Sequence, residues 1–116
     1  MKIRYVLLLL VGLLLMPDVY SNVFYVSPIG NDVANSGTKT NPFASVMRAQ
    51  QAVEAGDTVY FREGQFLILD NQIALKQGIW AMVYVLDKSG QPGKRINYWA
   101  YPGEKPVLDL SEVKPA

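Results

Sequence analysis

The chain has 116 residues, no cysteine and no histidine, and its 11 basic and 10 acidic side chains nearly balance. That length supports one small domain. The missing residue types exclude a disulfide, a thiol nucleophile, a Ser-His-Asp triad and a His- or Cys-ligated zinc within this chain. The first 21 residues read as a leader rather than as fold. Lys2 and Arg4 precede an almost unbroken apolar run from Val6 to Met16, Pro17 breaks it, and Val19-Tyr20-Ser21 offers a cleavage site after Ser21. The run is too short for a membrane-spanning helix, which needs roughly 20 residues. Cleavage leaves 95 residues, from Asn22 to Ala116, with nine basic and nine acidic side chains. A neutral exported domain gives no electrostatic case for binding nucleic acid or anionic lipid. The expected destination is secreted, periplasmic or cell-surface, with no membrane attachment after cleavage. The short polar tail after Leu110 reads as a natural terminus or equally as a cut through a longer protein.

The β-branched and aromatic run Val23-Phe24-Tyr25-Val26 predicts a strand. Residues 28 to 41, rich in Gly, Asn, Ser and Thr, predict a loop. Asp32 and its neighbouring asparagines invite a calcium reading, but Val33 and Ala34 interrupt the alternation that a calcium loop needs, so turn chemistry is expected instead. A helix is predicted from Ser45 to Ala55, with Ser45 as N-cap and Gly56 just past its end. Val46, Ala49 and Val53 form its apolar stripe, and Arg48, Gln51 and Glu54 are expected to face water.

Strands are predicted at 59–62, 66–69, 72–75, 79–86, 96–101 and 107–110, joined by Gly/Pro turns. The loop from Asp87 to Arg95 carries Lys88, Lys94 and Arg95 and is expected to be a solvated charged loop. Strands this short suit a chain that coils repeatedly. Val59 and Ile96 begin similar strands 37 residues apart without an exact repeat between them. Alternation puts Ile96, Tyr98 and Ala100 on one face and Asn97, Trp99 and Tyr101 on the other.

Several of these segments form an ordered series. It runs Tyr25-Val26-Ser27-Pro28-x-Gly30-Asn31-Asp32, Ser36-Gly37-Thr38, Asn41-Pro42-Phe43-Ala44, then Ala55-Gly56-Asp57-Thr58-Val59-Tyr60 and Arg62-x-Gly64. The series resembles the N-terminal region of secreted right-handed parallel β-helix proteins, most closely the pectate-lyase-like proteins of the polysaccharide lyase family 9 type. Residues 92 to 98 and 100 to 107 look like the next coil of the same proteins. The resemblance implies a mainly β fold: an N-terminal cap helix and the first coils of a right-handed parallel β-helix, truncated.

It also implies a chemistry. Family members cleave acidic polysaccharides of the pectate or rhamnogalacturonan type by β-elimination, with calcium binding the uronate and a basic residue, usually Lys, removing the C5 proton. No catalytic and no metal residue can be carried over, because in the family those lie on later coils. Trp99, outward on its strand, is the one candidate ligand contact, by stacking on a sugar ring. The expected whole is therefore an inactive-alone, monomeric N-terminal piece of a secreted lyase. The alternatives are a non-catalytic β-helix that binds glycan or sits on the cell surface, and a complete small β-rich export domain.

Overall fold

The computed structural model of the chain describes residues 21–114. The expected leader lies outside the described residues apart from Ser21, and no helix among the described residues is long and apolar enough to cross a membrane. In chain order the elements are strand β1 (Val23–Val26), helix α1 (Val46–Ala52), strands β2 (Thr58–Phe61) and β3 (Gly64–Leu67), and a 3-10 turn (Asp70–Gln72). Strands β4 (Leu75–Gln77), β5 (Trp80–Met82), β6 (Asn97–Ala100) and β7 (Pro106–Asp109) follow.

The pairing makes a coil. β1, β2 and β6 lie side by side in that order, all parallel, and β3 pairs in parallel with β7. Each step from β2 to β6 or from β3 to β7 is one turn of the chain, so Thr58 meets Asn97 and Gly64 meets Pro106. Parallel strands need long crossovers, and here the crossover holds β4 and β5, an antiparallel hairpin off the coil. The sequence spacing of 37 between Val59 and Ile96 is two short of the true register, because Val59 pairs with Tyr98.

Helix α1 closes the first end of the coil, as its apolar stripe predicts. Val46, Ala49 and Val53 are buried, and Ala49 and Val53 share a core with Val26, Phe43, Val59, Phe66 and Ile68. Ser45 is the N-cap, with its hydroxyl accepting from the Arg48 amide at 3.1 Å. The helix ends at Ala52 rather than Ala55, because Val53 turns extended and the Asp57 carboxylate takes the Glu54 amide at 2.8 Å. Gly56 still carries the expected positive φ, at the turn into β2 instead of at the helix end.

The long loop between β1 and α1 wraps Phe43. Phe43 exchanges backbone hydrogen bonds with Tyr25 and Ser27 and bridges Val26. Gly37 has φ +84 and packs so close that a Cβ there would lie 2.4 Å from the Phe43 ring. At Gly30 a Cβ would meet the Phe43 carbonyl. Both positions admit only glycine. Asp32 is structural. Its carboxylate accepts from the Ala44 and Ser45 amides and the Ser45 hydroxyl at 2.6–2.9 Å, pinning the loop to the helix start. Arg48 is not simply solvent-facing, since its guanidinium lies 4.5 Å from the Phe43 ring centre and bonds the Asp32 carbonyl.

Three predicted segments shift. The second strand of the first coil starts at Gly64 rather than Phe66, because β3 pairs with β7 from Gly64 onward. The segment 72–75 runs from the last residue of the 3-10 turn through two residues outside any element to the first residue of β4, with Gln72 folding back to accept the Leu69 amide. The run 79–86 is strand only at Trp80–Met82. Beyond it Val83 and Tyr84 pack on the core, and the Val85 amide reaches the Met47 sulfur, so this stretch lies beside α1 with no strand to pair with. The charged loop also departs from expectation: Lys88 donates to the Gln51 and Val53 carbonyls at 2.6 and 3.0 Å, capping the helix C-terminus.

Candidate functional site

Parallel register stacks like positions of successive strands. β1, β2 and β6 read Val-Phe-Tyr-Val, Thr-Val-Tyr-Phe and Asn-Tyr-Trp-Ala, and the third position of each is an outward aromatic residue. Tyr25, Tyr60 and Trp99 therefore form one row across the outer face, while Phe24, Val59 and Tyr98 form the inner row. Ile96 and Tyr98 pack against the core, as alternation predicts, but Ala100 is exposed although it continues the Val26–Phe61 inner row.

Just past the strand ends, Arg62 follows Phe61 and Tyr101 follows Ala100. Tyr101 leans back over the tyrosines: its ring centre is 5.5 Å from Tyr60 and 6.1 Å from Tyr25, and those two are 5.9 Å apart. Arg62 lies 4.5 Å over the Tyr101 ring and grips Glu104 through two hydrogen bonds of 2.6 and 2.9 Å. The Glu104 carboxyl is held below the usual range by the Arg62 hydrogen bond first, with the Glu63 amide adding to it. The same bond pushes the Arg62 guanidinium further up. Lys39 comes from the cap loop, donates to the Tyr101 hydroxyl at 2.9 Å and sits 4.8 Å from that ring's centre. A shallow cavity lined by Asn35, Lys39, Arg62, Glu63 and Glu104 opens beside this cluster.

The three tyrosines spend their faces on one another and on Arg62. Trp99 does not: it is 55 % exposed at the end of the row. The indole is thus a free aromatic surface at the end of this row, while the Lys39 ammonium is engaged at Tyr101. Such a surface can stack a pyranose ring. Reading the strand sequences one under another exposes the row; Trp99 taken by itself leaves out Tyr25, Tyr60 and Lys39. Trp80, at the tip of the β4–β5 hairpin, is 66 % exposed and stands apart from this face.

The carboxylates do not gather. No group of three acidic side chains placed to hold a metal occurs among the described residues. Asp32 is occupied by the helix start, Asp57 by two backbone amides and Glu104 by Arg62. Asp109 accepts from the Ser111 amide, which lowers its pKa, and also from Gln65. These side chains do not fit a calcium site, which needs six to eight oxygens from several carboxylates, carbonyls and waters. Of the lysines, Lys76 pairs with Asp70 across the hairpin base and Lys88 with helix carbonyls. Among the described residues no lysine stands by an acidic cluster.

Residues 24–115 match the model of the Pel9A-like, right handed beta helix region. A pectate lyase, PEL9, of Emericella nidulans is 33% identical over 99 residues, which is 85% of this chain and 21% of the lyase. The protein YwoF of Bacillus subtilis is 34% identical over 89 residues, covering 77% of this chain and 16% of YwoF. Among solved structures, a rhamnogalacturonan lyase superposes with a TM-score of 0.75 at 38% identity, over 82% of this chain and 23% of that one. The chain thus spans about a fifth of the length of the relatives it matches.

Proposed function

Because the chain belongs to the Pel9A-like right-handed β-helix family, we propose that it is the N-terminal cap and opening coils of an exported polysaccharide lyase that acts on acidic plant polysaccharide and has no activity by itself. The observation that carries this reading is the pair of lyase relatives, one named for pectate and one for rhamnogalacturonan, which this chain matches over most of its own length while spanning only 21% and 23% of theirs. The reaction on this reading is β-elimination: a base takes the proton α to the uronate carboxylate, and the bond to the C4 oxygen breaks. Base and calcium ligands then belong to coils other than these, in keeping with the scattered carboxylates and engaged lysines described above. What this chain contributes is a closed end for the coil and, at Trp99, a stacking contact for sugar. We read the protein as monomeric, with no affinity for nucleic acid and no membrane anchor once its leader is removed.

The test begins with the DNA beyond the codon for Ala116. The frame is expected to continue through several hundred residues carrying an acidic cluster and a Lys. The whole product, assayed on pectate and on rhamnogalacturonan, should release unsaturated sugar detectable by ultraviolet absorbance and should lose that activity to a calcium chelator. Trp99→Ala in the whole product should raise KM severalfold and leave kcat near its starting value. An immediate authentic stop, or a whole product that binds these glycans and releases no unsaturated sugar, overturns the lyase reading. The latter result would favour a non-catalytic β-helix that uses the Trp99 face for binding.

A further inference from the structure

We propose that cleavage of the leader after Ser21 builds an ion pair into the cap, in which the new α-ammonium of Asn22 binds the buried carboxylate of Asp57. The geometry is already in place in the uncut chain. The Asn22 backbone nitrogen donates to Asp57 Oδ1 at 2.8 Å. Asp57 is only 3 % exposed, and its Oδ2 accepts the Glu54 amide at 2.8 Å. The same residue joins three parts of the fold, since its amide bonds the Glu54 carbonyl at the helix exit and its carbonyl accepts the Asn97 amide of the second coil. Asn22 is fixed from its other side, its carbonyl accepting the Thr58 amide at 3.0 Å.

Asp57 is a buried carboxylate with neutral donors, and a buried charge without a countercharge is costly. The charged groups around it do not supply one. Glu54 is of like sign, Lys88 is spent on the Gln51 and Val53 carbonyls, and Lys94, whose aliphatic stem lies beside Gly56, forms no ion pair with Asp57. Thr58 and Asn97, facing it from β2 and β6, carry no charge. Among the described residues the ion pairs are Arg62–Glu104 and Lys76–Asp70, neither of which involves Asp57.

Hydrolysis alters this at one atom. Water adds across the Ser21–Asn22 bond under a peptidase of the export machinery. The hydroxyl goes to the Ser21 carbonyl carbon, which departs with the leader as a carboxylate. The Asn22 nitrogen becomes an amine and is protonated below its ordinary pKa of about 7.7–8.0. A hydrogen bond with charge on the acceptor alone becomes an ion pair at the same atoms. The cap would then be weaker before processing than after it. This inference rests on the exported reading and on cleavage at Ser21, and is independent of the lyase chemistry.

The full chain, leader included, is expressed in an exporting bacterial host, and the exported product is sequenced from its N-terminus. Asn22 is the expected first residue; any other terminus overturns the proposal and the leader boundary together. The α-amine is then titrated by pH-dependent reductive methylation with labelled formaldehyde. Its pKa should lie about one unit above the ordinary 7.7–8.0. A pKa raised on folding stabilises the fold fully below the unfolded value, and that contribution disappears as pH rises through the folded one. Selective acetylation of the amine should therefore lower the melting temperature by several degrees at pH 7, on the scale of about 4–8 °C per kcal/mol for a domain this size, and by nothing at pH 10. Asp57→Asn should return the amine to its ordinary pKa and abolish the effect of acetylation. An Asn22 amine that titrates at its ordinary value in the unsubstituted product overturns the ion pair, whether or not Asp57→Asn folds.

Discussion

The two ends of the coil are built from the same inner rows and have opposite fates. At the capped end Val26, Phe43, Ala49, Val53 and Val59 are essentially inaccessible, sealed by α1 and the loop across Phe43. One turn later the same rows hold Ala100 and Leu108, paired in register with Phe61 and Phe66, yet Leu108 is 44 % exposed. Residue type does not account for the difference, because Leu is as apolar as Val. A solenoid layer is buried by its neighbours on both sides. The first coil has a helix on one side and a coil on the other; among the described residues the second has only the first coil.

The largest effect should come from setting one end against the other. Phe43→Ala removes a buried ring from the cap core and should destabilise the fold by about 3–5 kcal/mol. Leu108→Ala, with nearly half its surface already in water, should cost well under half of that in this chain. Urea denaturation of both variants checks the ratio. In a whole product of the kind proposed above, Leu108→Ala should rise into the core range while Phe43→Ala stays where it is. Equal costs for the two in the 116-residue chain would break the contrast.

Next in size is Gly37→Ala. It forces an alanine into φ +84 and places its Cβ 2.4 Å from the Phe43 ring. Substitution at such a position destabilises by more than the roughly 0.4–1 kcal/mol that alanine can return through the unfolded state, so the net change should exceed about 1 kcal/mol. The damage should stay at the capped end. Amide exchange should accelerate in β1 and α1 before β7. Uniform acceleration through both coils would mean that the ends do not differ in local stability.

Much of this architecture can be read from residue order. The strand tetrads, the Ser45 cap, the Val46–Ala49–Val53 stripe and the outward position of Trp99 are local, and period and capping chemistry reach them. The missing pieces depend on what lies next to a residue only after folding. By sequence Asp32 reads as local turn chemistry, but the three donors of the helix start that occupy it are 12 or 13 residues away. Lys88 reads as solvated, and only the folded chain brings it 35 residues back to Val53. The run from Ile79 to Leu86 has strand composition throughout, yet only Trp80–Met82 has a partner to pair with. The aromatic row is written in three separate tetrads and needs the register to line them up.

The smallest expected effect tests how the two coils are joined on the outside. Arg62 belongs to the first coil and Glu104 to the turn of the second, and their paired hydrogen bonds span 42 residues at a partly exposed site. Solvent screens such a pair, so Glu104→Gln should destabilise the fold only slightly. The pH dependence carries more information than the magnitude. Because the Glu104 carboxyl is lowered in the fold, chiefly by the Arg62 hydrogen bond, its contribution is present above the unfolded carboxyl pKa and is lost as pH falls through the folded one. The stability difference between the parent and Glu104→Gln should therefore shrink on acidification, and the Glu104 side-chain resonance should titrate below an ordinary glutamate. Tyr101, held between Arg62 and the tyrosines, should shift its ring resonances over the same range, since it reports whether the guanidinium stays in place. If Glu104 titrates normally while Tyr101 stays still, the outer face is held by aromatic packing alone, and the ion pair is a consequence of the coil's register rather than a clamp on it.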